Sequence, residues 1–122
     1  MTPAPDPNAS QRHLPFFVYG YLKRGGPGHH LVESSLETVE AASATGRRVD
    51  TGADYPGIVF TPDGEDIEGE LLYVKAAHFP EIVRKLDEYE QVEAPDRYKR
   101  ITTMVRSGDT DVECYVYQWK GP

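Results

Sequence analysis

The chain has 122 residues, a length that suits one domain with a hydrophobic core of its own. Its 13 basic and 20 acidic residues give a net charge of −7, which disfavours nucleic acid and an anionic membrane as partners. The single cysteine, Cys114, excludes an internal disulfide, and the sequence shows no signal peptide or long apolar segment, so we expect a cytoplasmic location.

The first 13 residues, MTPAPDPNASQRH, are rich in proline and small polar side chains. A segment of this composition buries too little apolar surface to order itself. Residues 1–13 are therefore predicted to form a flexible tail, and residues 14–122 a single domain.

The most informative run follows this tail. Residues 14–19 are apolar on both faces of a strand, which predicts a central strand of a sheet. The strand leads into a bend in which Gly20 and Gly25 can adopt positive φ, so that successive amides between them can form a concave site for a carboxylate or an oxyanion. The alternative is a loop that binds nothing, because short glycine motifs often match by chance.

Turn residues and apolar patterns predict the other strands. Gly69 interrupts one of them and predicts a β-bulge, and Gly108 lies in a short turn that predicts a closing hairpin. In chain order, the predicted elements are a short helical turn over 31–36 and strands over 40–49, 58–60, 67–74, 98–106 and 112–119. A Tyr55-Pro56-Gly57 turn precedes the strand at 58–60.

One helix is predicted over residues 80–91. Proline suits its first position, and Glu81 and Lys85 form a favourable i,i+4 pair. The predicted core-facing stripe consists of Ile82, Val83, Leu86 and Tyr89, whereas Glu81, Arg84, Lys85, Asp87 and Glu88 are predicted to lie outside it.

Glu90, at the end of this helix, projects between the directions of Leu86 and Val83 and is thus predicted to point toward the core. Burial and the negative end of the helix dipole both raise the pKa of a carboxyl group. A carboxyl group with a pKa near neutrality can accept a proton and return it, as general acid–base catalysis requires. The alternatives are that the helix ends one residue early and leaves Glu90 solvated, or that Glu90 pairs with Arg97 or Arg100.

The other candidate residues are ambiguous. Tyr115, Tyr117 and Trp119 alternate along one strand face and are expected to be core or the wall of a cavity. Arg100 can contact a substrate or pair with an acid such as Glu90. The adjacent histidines at positions 29 and 30 lack a motif with metal-ligand spacing, so no metal or other cofactor is expected.

Two separated segments resemble one known family in the same order. The first is Phe17-Val18-Tyr19-Gly20-x-Leu22-Lys23-Arg24-Gly25-x-Pro27-x-His29, and the second is Leu86-Asp87-Glu88-Tyr89-Glu90 followed by Tyr98-x-Arg100. They are similar to segments of the gamma-glutamylcyclotransferase-like family, in particular its gamma-glutamylamine cyclotransferase branch. Tyr55-Pro56-Gly57, Glu68-Gly69-Glu70-Leu71 and Cys114-Tyr115-Val116-Tyr117 fit the connecting and closing strands of that family.

The resemblance implies an α+β fold, a small mixed β-barrel of about six strands flanked by one main helix and a short helical turn. It also implies a reaction in which the α-amino group of a γ-glutamyl substrate attacks its own γ-carbonyl, forming 5-oxoproline and expelling an amine or amino acid. Glu90 matches the catalytic glutamate of the family. The residues expected to bind the small-molecule γ-glutamyl substrate are Tyr19, Gly20, Tyr21, Leu22, Arg100 and Tyr117.

Tyr21 departs from the family, which usually has a small hydroxyl residue at this position. Its ring must either line the pocket or turn away from it, so the size of the substrate is open. The departure also leaves a second hypothesis, a non-catalytic binding module for γ-glutamyl compounds or other small carboxylates.

Overall fold

A computed structural model describes residues 12–19, 23–26, 28–52, 57–92 and 97–119. The chain forms six strands and one α-helix, with 3-10 turns between them. In chain order these elements are β1 (Phe16–Val18), β2 (Leu36–Val49), β3 (Gly57–Phe60), β4 (Glu65–Val74), α1 (Phe79–Tyr89), β5 (Tyr98–Ser107) and β6 (Thr110–Trp119).

The strands close into a barrel. Their order is β3-β2-β4-β1-β6-β5, and Ser43 of β2 pairs with Arg106 of β5, which joins the two ends of a five-stranded ring and leaves β3 attached to the side of β2. Strands β1 and β6 run parallel, with Phe16 beside Tyr115, and the other pairs are antiparallel. The predicted α+β class, with a small mixed barrel and one main helix, is confirmed.

Strand β1 is apolar throughout because its two faces meet different cores. Phe17 packs in a cluster contributed by all six strands, which fills the barrel. Phe16 and Val18 pack in a second cluster, between the outer face of the barrel and α1. All three side chains are at most 3% exposed. Burial on both sides is typical of a central strand, as the sequence predicted.

Helix α1 buries one stripe against the barrel. Phe79, Ile82, Val83 and Leu86 are buried at helical spacing, and the Nζ atom of Lys85 lies 3.6 Å from Glu81 Oε1. The prediction for Tyr89 was wrong, because its side chain is 37% exposed. Among the stripe residues, Tyr89 is the one nearest the C-terminal end of α1, where it is the last residue of the helix.

The predicted short helical turn is present as two 3-10 turns, His29–Leu31 and Glu33–Ser35, and Leu36 already belongs to β2, which begins four residues earlier than predicted. The predicted bulge at Gly69 was wrong, since Gly69 pairs in register with Ala42. A Cβ atom at position 69 would instead overlap the carbonyl oxygen of Val18 and the ring of Phe17, so glycine is needed there for space.

The remaining strand predictions agree closely with the structure. The final hairpin is confirmed, with Ser107 paired to Thr110 across a two-residue turn in which Gly108 has φ 61°. Of the Tyr55-Pro56-Gly57 turn, the first two residues lie outside the described residues. No helix in the described part of the chain is long and apolar enough to cross a membrane.

The end of the predicted tail contacts the barrel. Arg12 forms a two-pronged ion pair with Glu113, with N–O distances of 2.8 and 2.7 Å, and the carbonyl of Arg12 accepts a 2.7 Å hydrogen bond from the phenol of Tyr115. The ring of His13 packs edge-on against Phe79 at 4.9 Å. Residues 1–11 lie outside the described residues, so a flexible tail there stays a prediction.

Candidate active site

The C-terminal cap of α1 determines where Glu90 lies. Gln91 has φ 55°, a left-handed conformation, and its amide donates to the carbonyl of Glu88 at 3.1 Å. The amide of Val92 donates to the carbonyl of Asp87 at 3.0 Å. These two bonds form a Schellman motif, in which the helix stops and the chain turns away from the axis. Glu90 is the last residue before that turn and keeps near-helical dihedral angles, φ −84° and ψ 0°.

The Glu90 carboxyl is half-buried, although the helix ends one residue before it. Burial raises its pKa to about 7, and the positive charge of Arg97 opposes this increase. The prediction that Glu90 points toward the core rather than into solvent agrees with this placement. At neutral pH a carboxyl group with this pKa exists in both its protonated and ionised forms, so it can both accept and donate a proton.

Tyr19 follows β1 directly and lies close enough to Glu90 for the charge of that carboxyl to affect its phenol. Its phenol donates a 2.6 Å hydrogen bond to the main-chain carbonyl of Tyr117. Burial is the main cause of the increase in the Tyr19 pKa well above its usual value, with further contributions from the charges of Tyr98 and Glu90. The Tyr19 phenol is therefore neutral at physiological pH, and its hydrogen bond fixes the end of β1 against β6.

Tyr117 contacts a partly buried ion pair and is also affected by the charge of Glu90. Its phenol donates a 2.7 Å hydrogen bond to Asp87 Oδ1, and burial raises its pKa, as do the nearby charges of Asp87 and Glu90. Arg100 donates to the same carboxylate from Nε, at 2.9 Å to Oδ1, and from Nη2, at 3.1 Å to Oδ2. The guanidinium also lies 5.2 Å from the centre of the Tyr115 ring. Asp87 is thus shared between β5 and β6.

The segment after Tyr19 is anchored where the structure describes it again. The amide of Arg24 donates a 2.7 Å hydrogen bond to Glu70 Oε1, and Arg24 Nε lies 3.0 Å from Glu70 Oε2. Glu70 in turn pairs with Val18 in the sheet. Gly25 has φ 83°, as expected for a glycine in this bend. The chain is therefore bonded to β6 before positions 20–22 and to β4 after them.

The structure brings together Tyr19, Tyr117 and Glu90 of the predicted site residues. Arg100 lies in the same region, but its ion pair is with Asp87, so the pairing with Glu90 considered from the sequence is replaced by one with a different acid. Gly20, Tyr21 and Leu22 lie outside the described residues.

Asp87 was predicted to lie outside the core-facing stripe, and its contacts with Arg100 and Tyr117 were not predicted. The side chain of Asp87 is 27% exposed and that of Arg100 is 16% exposed, so the pair is largely withdrawn from solvent. The available signal was the spacing of Asp87 and Glu90, three residues apart, which puts two acids on neighbouring positions of one helix face.

Comparison with known proteins identifies the family of this chain. Residues 16–122 match the family model described as gamma-glutamyl cyclotransferase, AIG2-like. The chain belongs to this family. The match spans every strand and the helix, together with Tyr19, Asp87, Glu90, Arg100 and Tyr117.

Three similar proteins illustrate the relationship. The gamma-L-glutamyl-butirosin B gamma-glutamyl cyclotransferase of Niallia circulans is 32% identical over 107 residues, covering 83% of this chain and 65% of that protein. The gamma-glutamylaminecyclotransferase of Mus musculus is 29% identical over 117 residues, covering 83% of this chain and 74% of that protein. The crystal structure of an AIG2-like protein from Mus musculus has a TM-score of 0.65 at 23% identity, covering 88% of this chain and 78% of that chain. This chain therefore spans just under two thirds of the bacterial relative and has the fold of the mouse protein.

Proposed function

We propose that this protein is a gamma-glutamyl cyclotransferase that releases 5-oxoproline and an amine or amino acid from a γ-glutamyl amide. The observation that carries the proposal is the half-buried Glu90 carboxyl, with a pKa raised to about 7, beside Tyr19 at the start of the glycine-rich segment. Membership of the family and the names of the two curated relatives support the same reaction.

In this reaction the α-amino nitrogen of the substrate forms a bond to the γ-carbonyl carbon, and the bond from that carbon to the leaving nitrogen breaks. The attacking amine must lose a proton, and the leaving nitrogen must gain one. Ionised Glu90 takes the first proton and then donates it to the leaving nitrogen, so the carboxylate is regenerated and the overall reaction needs no other proton donor. A pKa near 7 suits both steps, because neither proton transfer is then strongly uphill at neutral pH.

The other site residues have binding roles in this proposal. The main chain of Tyr19, Gly20, Tyr21 and Leu22 holds the glutamyl group, and Tyr117 forms the wall next to Glu90. Holding the substrate in a folded conformation brings its amine to its own γ-carbonyl, which removes much of the entropic part of the barrier. Arg100 acts through Asp87 rather than by direct contact, because both its Nε and Nη2 atoms already donate to that carboxylate.

The test is to incubate the protein with a panel of γ-glutamyl amino acids and γ-glutamylamines and to measure 5-oxoproline. We expect at least one compound to turn over, and Glu90→Gln to lower kcat by at least about 100-fold, the range typical for loss of a general base. Glu88→Gln is the matched control, since Glu88 is exposed on the same helix end. We expect it to retain the wild-type rate.

The pH profile provides a second measurement. Because ionised Glu90 is the base, kcat/KM should rise with pH to a plateau, with an apparent pKa near 7. Absence of turnover across the panel, or a fully active Glu90→Gln, would overturn the proposed reaction. If calorimetry then detected binding of a γ-glutamyl compound and no product formed, the hypothesis of a non-catalytic binding module would be supported.

A further inference from the structure

The carboxylate of Asp87 lies one helical turn before Glu90 and has two partners from the barrel. It accepts a hydrogen bond from the phenol of Tyr117 on β6 and two from the guanidinium of Arg100 on β5. The main-chain carbonyl of Asp87 also accepts the bond from Val92 that closes the helix cap. One residue therefore joins the end of α1 to two strands and to the turn that follows Glu90.

The placement has an electrostatic consequence. Asp87 and Glu90 are three residues apart on one helix end, a spacing at which side chains are neighbours. Two unscreened carboxylates at that separation repel each other, whereas an unpaired arginine nearby would attract the ionised form of Glu90. In the observed ion pair, the opposite charges of Asp87 and Arg100 lie close together, so their electrostatic effects on Glu90 largely cancel. Burial then remains the main influence on Glu90.

We propose that Asp87 is a positioning residue for Glu90: shared between Tyr117 and Arg100, it fixes the end of α1 on the barrel and neutralises Arg100, which would otherwise act on the Glu90 carboxylate. This inference rests on the proposed function, in which Glu90 is the reacting group. Asp87 needs no contact with the substrate in this role.

The groups that face Glu90 come from several elements. The positive charge of Arg97, before β5, lowers the pKa of its carboxyl, and the phenols of Tyr19, after β1, and Tyr117, on β6, are each affected by its charge. Tyr98 on β5 interacts with Tyr19. The pKa of the Tyr117 phenol is also affected by the charges of Asp87 and Arg100, so this one side chain is influenced by both the ion pair and Glu90.

If the ion pair acts electrostatically on Glu90, breaking it from either side should shift the Glu90 pKa in opposite directions. A purely structural contact would not produce this result. Asp87→Asn removes a negative charge and leaves the Arg100 cation unpaired, so the pKa of Glu90 should fall. Arg100→Gln leaves the Asp87 carboxylate unpaired, so the pKa of Glu90 should rise. Each shift should be at least about half a pH unit, given Coulomb energies at such separations in a partly buried site. Loss of packing alone would expose Glu90 and lower its pKa in both variants.

The experiment is an NMR titration of the full chain labelled with 13C at the glutamate carboxyl carbon, with the Glu90 signal assigned by its absence in Glu90→Gln. Arg100→Lys keeps the positive charge and should restore the pKa of Glu90 to near the wild-type value. Glu81→Gln, which breaks an exposed ion pair at the other end of α1, should leave it unchanged. Opposite shifts in the two ion-pair variants support the proposal. Shifts in the same direction, or no shift in either or both, overturn it.

This measurement does not require turnover. If the wild-type chain forms no 5-oxoproline, the proposed function fails, while the titration still decides whether Asp87 and Arg100 control Glu90. If Asp87→Asn does not fold by circular dichroism, the arginine variants decide alone. A raised pKa in Arg100→Gln with a near wild-type pKa in Arg100→Lys supports the inference, and any other pair of results rejects it.

Discussion

The phenol of Tyr19 donates a 2.6 Å hydrogen bond to the main-chain carbonyl of Tyr117. Tyr19, the donor, directly follows β1, and Tyr117, the acceptor, lies on β6. This bond therefore connects the two parallel strands near Glu90. Both phenols are neutral at physiological pH because burial raises their pKa values.

Removing this hydroxyl should destabilise the fold. Tyr19→Phe keeps the ring but leaves the Tyr117 carbonyl without this donor in a partly buried place, so we expect the free energy of unfolding to fall by about 1 kcal/mol. Urea unfolding followed by circular dichroism measures the change. Tyr73→Phe is the control, because its phenol makes a long, exposed contact with Glu40 at 3.5 Å. An equal decrease in the free energy of unfolding in both variants would show that the Tyr19 hydrogen bond contributes no more to stability than the exposed contact of Tyr73.

Glu90 should make the stability depend on pH. Its pKa is about 7 in the folded chain, against 4.5 for an unperturbed glutamate, so between these pH values the folded state binds more protons than the unfolded state. The contribution of Glu90 is therefore most favourable below about pH 4.5 and is lost as the pH rises to about 7. Because glutamine does not ionise, the Glu90→Gln variant does not lose this stability as the pH rises. At pH 8 the variant should be more stable than wild type by up to about 3 kcal/mol.

Urea unfolding at pH 4.5 and pH 8 measures this difference. The two proteins should have similar stability at the lower pH, where Glu90 is protonated in the folded state and about half protonated in the unfolded state, so that its pH-dependent contribution is small. Glu88→Gln should show no pH-dependent difference from wild type, because Glu88 is exposed. A Glu90→Gln variant that differs from wild type by the same amount at both pH values would contradict the raised pKa.

Gly69→Ala should be more damaging than an ordinary glycine substitution in a strand. The added methyl would overlap the carbonyl oxygen of Val18, and that atom belongs to the backbone of a fully paired strand, so it cannot rotate away. We expect a loss of at least about 2 kcal/mol, in the range for overpacking a tight core.

Gly108→Ala provides the contrast for that experiment. Gly108 has φ 61°, and a Cβ atom there would meet nothing within 4 Å, so the cost is conformational only, about 1 kcal/mol. Asparagine tolerates this backbone conformation and should recover part of the loss at position 108, whereas Gly69→Asn should be at least as damaging as Gly69→Ala. Thermal unfolding of the four variants checks the order.

Gln91→Gly should stabilise the protein. Gln91 holds the left-handed position of the helix cap at φ 55°, where glycine is the preferred residue. The expected gain is about 0.5–1 kcal/mol, measured by chemical unfolding. Gln91→Val, with a β-branched side chain at positive φ, should lose stability. If both substitutions destabilised the fold equally, a contact of the glutamine side chain would outweigh the backbone effect.

Local patterns predicted the elements whose signals lie within a short stretch of chain. The hairpin at Gly108 and the helix that begins near Pro80 are of this kind, since their turn residues and periodicity are contained in one segment. The direction of Glu90 was also predictable, although the helix ends at Tyr89, because the cap keeps near-helical dihedral angles at Glu90 and the helical wheel still applies.

Pairings between distant segments were not predictable in the same way. The role of Asp87 depends on Arg100 and Tyr117, which are 13 and 30 residues later, and a wheel that considers one helix alone treats such an acid as solvated. The need for glycine at position 69 depends on the carbonyl of Val18, which the order of the strands brings beside it. Both features depend on contacts between segments that are distant in the chain, for which no short stretch of sequence contains the signal.

The parallel pairing of β1 with β6 has a consequence for synthesis of the chain. Phe16 and Tyr115 become neighbours only after the segment between them has been made, so the barrel cannot close during synthesis until β6 is available. Before that moment β1 can pair with β4 alone, and one edge of this apolar strand stays open to other chains. Contacts between such distant segments also slow folding. The last strand of the barrel is therefore the one that protects the first.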